Sequence, residues 1–148
     1  MSIDIVVTAA PTSDVVAKIS NDLDLFNVAA TDISDRTPLG VLVVDSNTGV
    51  ALGGITGRTS MGILFIDLFF LPDELRGSGL GTRLLAAAED EARRRGCKTG
   101  VLYTISFQAP QFYIHNGWKV FGEIPCDPPG TSRVFLSKDL AAQGANDA

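Results

Sequence analysis

A glycine-rich stretch, LPDELRGSGLGTRLL, spans residues 71–85 and constrains this chain more than any other feature. Gly77, Gly79 and Gly81 follow Arg76 at alternate positions and lead into an apolar pattern with helical spacing. Glycine costs about 1 kcal/mol relative to alanine inside a helix, so three glycines here need a reason. A helix start exposes unpaired N–H groups with a partial positive charge, and glycine lets an anion approach them closely. The stretch therefore predicts a strand, a turn and a helix whose first residues bind phosphate, with Arg76 as an additional cation.

Two common phosphate-binding motifs do not fit this stretch. The dinucleotide fingerprint G-x-G-x-x-G would need glycine at Thr82, and it normally follows the first strand of its unit. The P-loop would need Gly-Lys followed by Ser or Thr, which is absent. Two interpretations remain, which are a pyrophosphate site of another kind and a tight turn beside a surface arginine.

Composition indicates a globular chain of ordinary type. The 148 residues are 45% hydrophobic and 20% charged, which is enough for a single core without disulfides or metals. We expect one domain over residues 1–140. The small and polar residues 141–148 are expected to form a flexible tail.

Charge, cysteines and apolar runs narrow the class of protein. The net charge of -5 argues against a nucleic-acid partner and fits a cationic substrate. Cys97 and Cys126 form no CxxC pair, which indicates a reducing cytoplasm. The first ten residues do not resemble a signal peptide, and no apolar run approaches the roughly 20 residues needed to span a membrane. No group of His, Cys and acidic residues has metal-ligand spacing, so we expect no metal.

Hydrophobic periodicity predicts a mixed α/β domain in which strands and helices alternate. A helix is expected to begin at Pro11 and Thr12 and to continue through Phe26, followed by a loop over residues 27–37. Residues 79–95 and 109–116 are the other predicted helices. The predicted strands cover residues 3–9, 39–45, 50–59, 63–71, 99–104, 118–123 and 133–138.

Two motifs resemble those of the GNAT superfamily of N-acetyltransferases. RGSGLG at residues 76–81 is similar to the family's Q/R-x-x-G-x-G/A motif, and APQFYIHNGW at residues 109–118 resembles its A-x-x-F-Y-x-x-x-G-F/W element. Residues 104–108 and 129–138 resemble a bacterial subgroup of small, single-domain members. Thr131 departs from that subgroup, where histidine is expected. The resemblance is specific over about residues 39–140.

The resemblance implies a GNAT fold, in which helices flank a mixed, mostly antiparallel sheet that splays between the strands ending near Leu71 and Thr104. It implies acetyl-CoA as cosubstrate and a primary amine as acceptor. The short, hairpin-rich acceptor side shows no peptide-binding extension, which favours an amine of a small molecule. Family habit and the apolar C-terminal strand favour a homodimer. The residues that the resemblance assigns to the cofactor are Phe69, Phe70, Leu71, Arg76, Gly77, Ser78, Gly79, Leu80, Gly81, Thr82, Ser106 and Phe112.

Acetyl transfer to an amine needs a group that accepts the amine proton and an acid that protonates the CoA thiolate. The resemblance points Tyr113 at the CoA sulfur, and a phenol with a pKa of about 10 is protonated at neutral pH. Asp67 lies on the apolar strand over residues 63–71, where an unpaired carboxylate is costly, so it is the candidate base or amine ligand. Both residues have an alternative interpretation, since Tyr113 could be a packing aromatic and Asp67 a structural hydrogen-bonding residue. His115 is expected at the surface.

Two other functions stay open. The chain could acetylate a protein N-terminus or lysine rather than a small amine. It could also be an acyl-CoA-binding regulatory module without turnover, although Tyr113 is present.

Overall fold

The computed structural model describes residues 1–141 and divides the chain into two compact units, Met1–Ser34 and Asp35–Ala148. All of the predicted tail except Ala141 lies outside the described residues. The first unit contains helix α1, Ser13–Thr31. The Thr12 side chain caps it by accepting a hydrogen bond from the amide of Val15 at 3.3 Å, as the Pro-Thr start predicts.

Two predictions for the first unit are wrong. Residues 3–9 form no strand, because a β-branched run gains its stability from a neighbouring ladder and this run pairs with none among the described residues. Helix α1 also continues to Thr31, into the segment predicted as a loop. The alanines after Phe26 favour that extension, since alanine is the best helix former.

The second unit is built on a six-stranded sheet with the order β1-β2-β3-β4-β6-β5. Only the β3–β4 pair is parallel, so the sheet is mixed and mostly antiparallel as predicted. Helix α2, Leu80–Arg94, connects β3 to β4, and the short helix α3, Pro110–His115, connects β4 to β5. The strands are β1 (Thr37–Val44), β2 (Ala51–Ser60), β3 (Ile63–Phe70), β4 (Thr99–Ile105), β5 (Lys119–Cys126) and β6 (Thr131–Asp139).

The parallel pair separates halfway along its length. The ladder runs from Ile63 opposite Thr99 to Ile66 opposite Leu102 and ends there, although both strands continue. Asp67 follows at an irregularity in the β2–β3 ladder, where Gly57 pairs with Ile66 and Thr56 with Leu68. Such a bulge increases the local twist, which favours separation of the strands. The predicted splay is therefore confirmed.

The core lies between one face of the sheet and α2. The apolar stripe of α2 buries Leu84, Leu85, Ala88 and Ala92. The sheet contributes buried side chains from its central strands, including Leu64, Ile66, Leu102, Val134 and Leu136. Strand β6 is interior, between β4 and β5, which accounts for its apolar character. That character therefore gives no support to a dimer formed through the C-terminal strand.

Candidate active site

The turn after β3 presents a row of unpaired backbone amides. Gly77 and Gly79 both have a φ of 83°, a left-handed conformation that glycine adopts at no steric cost. No acceptor within residues 1–141 takes a hydrogen bond from the amides of residues 77–82, and the amide of Arg83 is the first to bond, to Gly79 O. A Cβ added to either glycine would meet no atom within 4 Å, so no neighbouring group crowds the turn at these two positions. This arrangement suits a pyrophosphate at the positive end of α2.

Arg76 braces this turn against the end of β3. Its Nε donates to the carbonyl of Leu71 at 2.7 Å, and its Nη1 lies 3.1 Å from the carboxylate of Asp73. Its own amide donates to Asp73 O, so the free amides begin at Gly77. The guanidinium also lies 5.5 Å from the ring centre of Phe70, whose side chain is exposed. Arg76 thus adds positive charge beside the amides while it holds the turn in shape.

Helix α3 packs directly against the start of α2. A Cβ on Gly81 would lie 3.4 Å from the Phe112 ring and 3.8 Å from the Leu71 side chain, so this position favours a small residue. The Phe112 ring centre is 5.6 Å from that of Phe69. Of the other predicted residues in the turn, Ser78 and Thr82 are exposed and Leu80 is half-buried.

Tyr113 is buried in α3, with 7% of its surface exposed. Its ring centre lies 5.2 Å from that of Phe112, 6.2 Å from that of Phe69 and 6.3 Å from that of Trp118. Burial raises the pKa of Tyr113 from 10.0 to about 12. No side chain within the described residues hydrogen-bonds its hydroxyl. The phenol is therefore protonated at neutral pH and free to donate.

The splay leaves one edge of β3 open. Leu68, Phe69 and Phe70 pair with β2, but residues 67–70 have no partner in β4. Their free N–H and C=O groups can bind an extended ligand as a neighbouring strand would. The open edge leads from the amide row at residues 77–82 toward Asp67, so one elongated ligand can contact both.

Asp67 lies at the bulge with an exposed side chain. Its carboxylate forms an ion pair with Arg58 Nη1 at 3.0 Å, and the Arg58 guanidinium lies 4.5 Å from the ring centre of Phe65. Asp67 is therefore not an unpaired carboxylate among apolar neighbours, and both the base role and the structural role expected for it stay open. Sequence reasoning missed Arg58, although its place in the adjacent strand of the β2–β3 hairpin was an available signal.

Ser106, Ser132 and Glu123 form a group of hydrogen bonds at the end of β4. The amide of Ser106 donates to Ser132 O at 2.8 Å, and the Ser106 hydroxyl accepts a hydrogen bond from the amide of Ser132 at 3.0 Å. The Ser132 hydroxyl donates to the Glu123 carboxylate at 2.6 Å. Ser106 is thus fixed by β6 at the wide end of the splay. Ser132 was not predicted, because only the β4–β6 pairing brings it there.

The remaining candidates have local roles. His115 is exposed at the end of α3, as expected. The hydroxyl of Thr131, where the resembling subgroup has histidine, donates to Pro128 O at 2.7 Å within the β5–β6 turn. Cys97 is buried, and burial raises the pKa of its thiol, which disfavours the nucleophilic thiolate.

Neither a metal site nor a membrane span is found in the part of the chain that the structure describes. No three His, Cys, Asp or Glu side chains within residues 1–141 are grouped to hold a metal ion. No helix there is long and apolar enough to cross a bilayer.

Comparison with known proteins gives matches over most of the chain. The model of the acetyltransferase (GNAT) family matches residues 14–118. An acetyltransferase of Agrobacterium fabrum is 33% identical over 120 residues, which cover 81% of this chain and 87% of that protein. Blasticidin-S acetyltransferase of Streptomyces morookaense is 36% identical over 113 residues, which cover 74% of this chain and 83% of that protein.

A solved structure extends the similarity to three dimensions. An acetyltransferase of Bacillus cereus superposes with a TM-score of 0.73 at 27% identity, covering 94% of this chain and 97% of that one. The splayed sheet, the amide row before α2 and the family match agree with one another. The chain therefore belongs to the GNAT family of N-acetyltransferases.

Proposed function

We propose that this enzyme transfers the acetyl group of acetyl-CoA to a primary amine of a small molecule. The observation that carries the proposal is the row of free amides at residues 77–82, which adjoins the open edge of β3. The amides suit the pyrophosphate, and the open edge suits the pantetheine arm and the thioester beyond it. In this proposal Phe69, Phe70, Leu71 and Phe112 line the cofactor path, with Ser106 on the other side of the splay.

The reaction joins the amine nitrogen to the acetyl carbon and breaks the carbon–sulfur bond of the thioester. Tyr113 donates its phenolic proton to the departing thiolate and recovers a proton from solvent. Asp67, or a water that Asp67 orders, accepts the proton that the amine loses. The exposed ion pair with Arg58 fixes the direction of the Asp67 carboxylate without removing it from water.

A small acceptor is favoured over a protein. Blasticidin-S acetyltransferase, at 36% identity, is named for a small-molecule substrate. The alternatives are a protein or peptide acceptor and an acyl-CoA-binding module without turnover, and each predicts a different outcome in the same assay.

The decisive experiment incubates the enzyme with acetyl-CoA and one candidate at a time from panels of small primary amines and lysine-containing peptides. Release of free CoA thiol is followed with a chromogenic thiol reagent, and calorimetry measures acetyl-CoA binding separately. We expect amine-dependent thiol release with small amines. Turnover only with peptides would support the protein acceptor. Tight acetyl-CoA binding without turnover on any amine would support the regulatory module.

The proposed enzyme is a cytoplasmic homodimer that needs no metal. Free cysteines Cys97 and Cys126 are compatible with a reducing compartment. Light scattering at working concentration tests the dimer, and a monomeric mass would contradict it. Unchanged turnover after treatment with a chelator would support the metal-free reaction.

A further inference from the structure

The face of the sheet that α2 does not cover carries exposed side chains beside the splay, where the acceptor can reach the thioester. Ile66 and Leu102 are buried on the α2 side, and they form the last pair before the splay. Side chains alternate along a strand, so the next residues, Asp67 and Tyr103, point to the opposite face. Both are exposed, and they flank the opening between β3 and β4.

Aromatic rings line this face beside the opening. Half of the Tyr103 surface is exposed, and its ring centre lies 5.6 Å from that of Phe135. The Phe135 ring is in turn 6.2 Å from that of Phe121, which is 61% exposed. A soluble domain that exposes adjoining rings beside its reaction site offers an apolar surface for a ligand.

Arg133 adds a positive charge to the same surface. Its guanidinium lies 5.3 Å from the ring centre of Tyr103, and its side chain is exposed on β6. Within residues 1–141, no carboxylate lies at ion-pair distance from Arg133. By contrast, Arg58 on this face is already paired with Asp67. The opening therefore has a carboxylate on one side and a guanidinium without an acidic partner on the other.

We propose that the acceptor amine also carries a carboxylate, and that Arg133 binds this carboxylate while the amine lies toward Asp67. This rests on the proposed function and names its substrate class. A guanidinium supported by an aromatic ring is suited to a planar carboxylate, which it can bind through two parallel hydrogen bonds. The tyrosine ring orients the guanidinium and leaves its outer N–H groups free. The net charge of the chain favours a cationic substrate, and the proposed acceptor adds a carboxylate to its cationic amine.

The spacing of the strands indicates the length of this acceptor. Asp67 on β3 and Arg133 on β6 are separated by β4, and the splay widens the first of these two strand spacings, so their backbones lie more than about 10 Å apart. Arg133 also pairs with Ile105, two residues beyond Tyr103, which adds distance along the strand. The two side chains shorten this gap when they lean over the opening. Acceptors with several carbons between amine and carboxylate therefore fit better than α-amino acids.

The test compares straight-chain ω-amino acids with their carboxamides, using acetyl-CoA and thiol release. Each pair differs only in the negative charge. We expect the wild-type enzyme to prefer the carboxylate by about 10- to 100-fold in kcat/KM, the range for a hydrogen bond to a charged group. Arg133→Gln should abolish the preference by raising KM for the carboxylate, with kcat nearly unchanged. The reason is that Arg133 binds the carboxylate equally well in the ground state and in the transition state. Arg133→Lys should restore only part of it, since ammonium lacks the planar fork.

The matched control is Arg94→Gln. It makes the same change in charge at the exposed far end of α2, where Arg94 pairs with Glu91, and it should leave the preference intact. Equal turnover of carboxylate and carboxamide by the wild type would overturn the inference. An equal loss of kcat/KM for the carboxylate and the carboxamide in Arg133→Gln would also overturn the inference, but the proposed acetylation of amines would still stand. Absence of thiol release with every amine tested, whether as carboxylate or as carboxamide, would overturn both proposals.

Discussion

The ammonium nitrogen of Lys138 lies 2.7 Å from a carboxylate oxygen of Glu89, and both side chains are more than nine-tenths buried. The other Glu89 oxygen accepts a hydrogen bond from the Trp118 indole at 3.2 Å. Lys138 also donates to Asn116 O at 2.8 Å, immediately after α3. One buried ion pair thus connects α2, which starts at the amide row, to β6 and to the end of the helix that carries Tyr113.

Lys138→Met should destabilise the fold strongly. The substitution leaves the buried Glu89 carboxylate with Arg93, 3.7 Å away, as its remaining cation, so the loss should approach the cost of breaking a buried pair, about 3–5 kcal/mol. Urea unfolding monitored by Trp118 fluorescence measures the change. Lys119→Met, at an exposed position of β5, is the control and should stay within about 0.5 kcal/mol of the wild type. Equal stability of the two variants would show that the pair contributes little.

Gly79→Val should abolish acetyl-CoA binding while the fold survives. A β-branched residue at a φ of 83° is strained, and relief of that strain would change the turn that aligns the free amides. Gly62→Val is a matched control, because Gly62 has a φ of 82° with similarly open space in the β2–β3 turn. Calorimetry should show lost affinity only for Gly79→Val. Unchanged affinity in a folded Gly79→Val variant would contradict the pyrophosphate site.

Tyr113→Phe should lower kcat by about 10²–10⁴-fold, the usual contribution of general acid catalysis. The substitution removes only the hydroxyl, so the ring contacts with Phe69, Phe112 and Trp118 and the affinity for acetyl-CoA should change little. Single-turnover kinetics is the appropriate measurement, because it isolates the chemical step. Near wild-type turnover would show that Tyr113 contacts the cofactor without acting as the acid.

Alkaline titration should detect the raised pKa of Tyr113. The folded-state pKa is about 12 against an ordinary value of 10.0, so the folded protein binds this proton more tightly. The resulting stability is fully present below about pH 10 and is lost as the pH rises toward 12. Phenolate absorbance should show a late component that Tyr113→Phe lacks. Ionisation of Tyr113 near pH 10 would disagree with the buried environment.

Asp67→Asn should lower kcat/KM for the amine by about 10²-fold or more and leave acetyl-CoA affinity unchanged. The loss should be greatest at low pH, where deprotonation of the amine is hardest. Asp90→Asn, on the exposed side of α2, removes a carboxylate that is also paired with an arginine and serves as the control. A pH-independent loss would favour a binding role for Asp67 over proton transfer.

Local patterns were sufficient for much of this architecture. The glycines at residues 77–81 predicted the turn and the start of α2, because positive φ and helix capping depend on neighbouring residues alone. The apolar stripe of α2 and the hairpin of β1 and β2 also follow from short-range periodicity and turn chemistry. The family resemblance supplied the splay and the expected place of Tyr113, which periodicity does not specify.

Long-range pairing decided the rest. Residues 3–9 have the composition of a strand, yet they form none. A strand is stable only beside a partner strand, and the local sequence does not specify whether such a partner is present. The insertion of β6 between β4 and β5 brings Ser132 to Ser106 and Arg133 over Tyr103, and the β2–β3 register pairs Arg58 with Asp67. A one-residue slip of register would turn each of these side chains to the opposite face. The local chain thus specifies the amide row, whereas the charges that we propose meet the acceptor arise from contacts between distant strands.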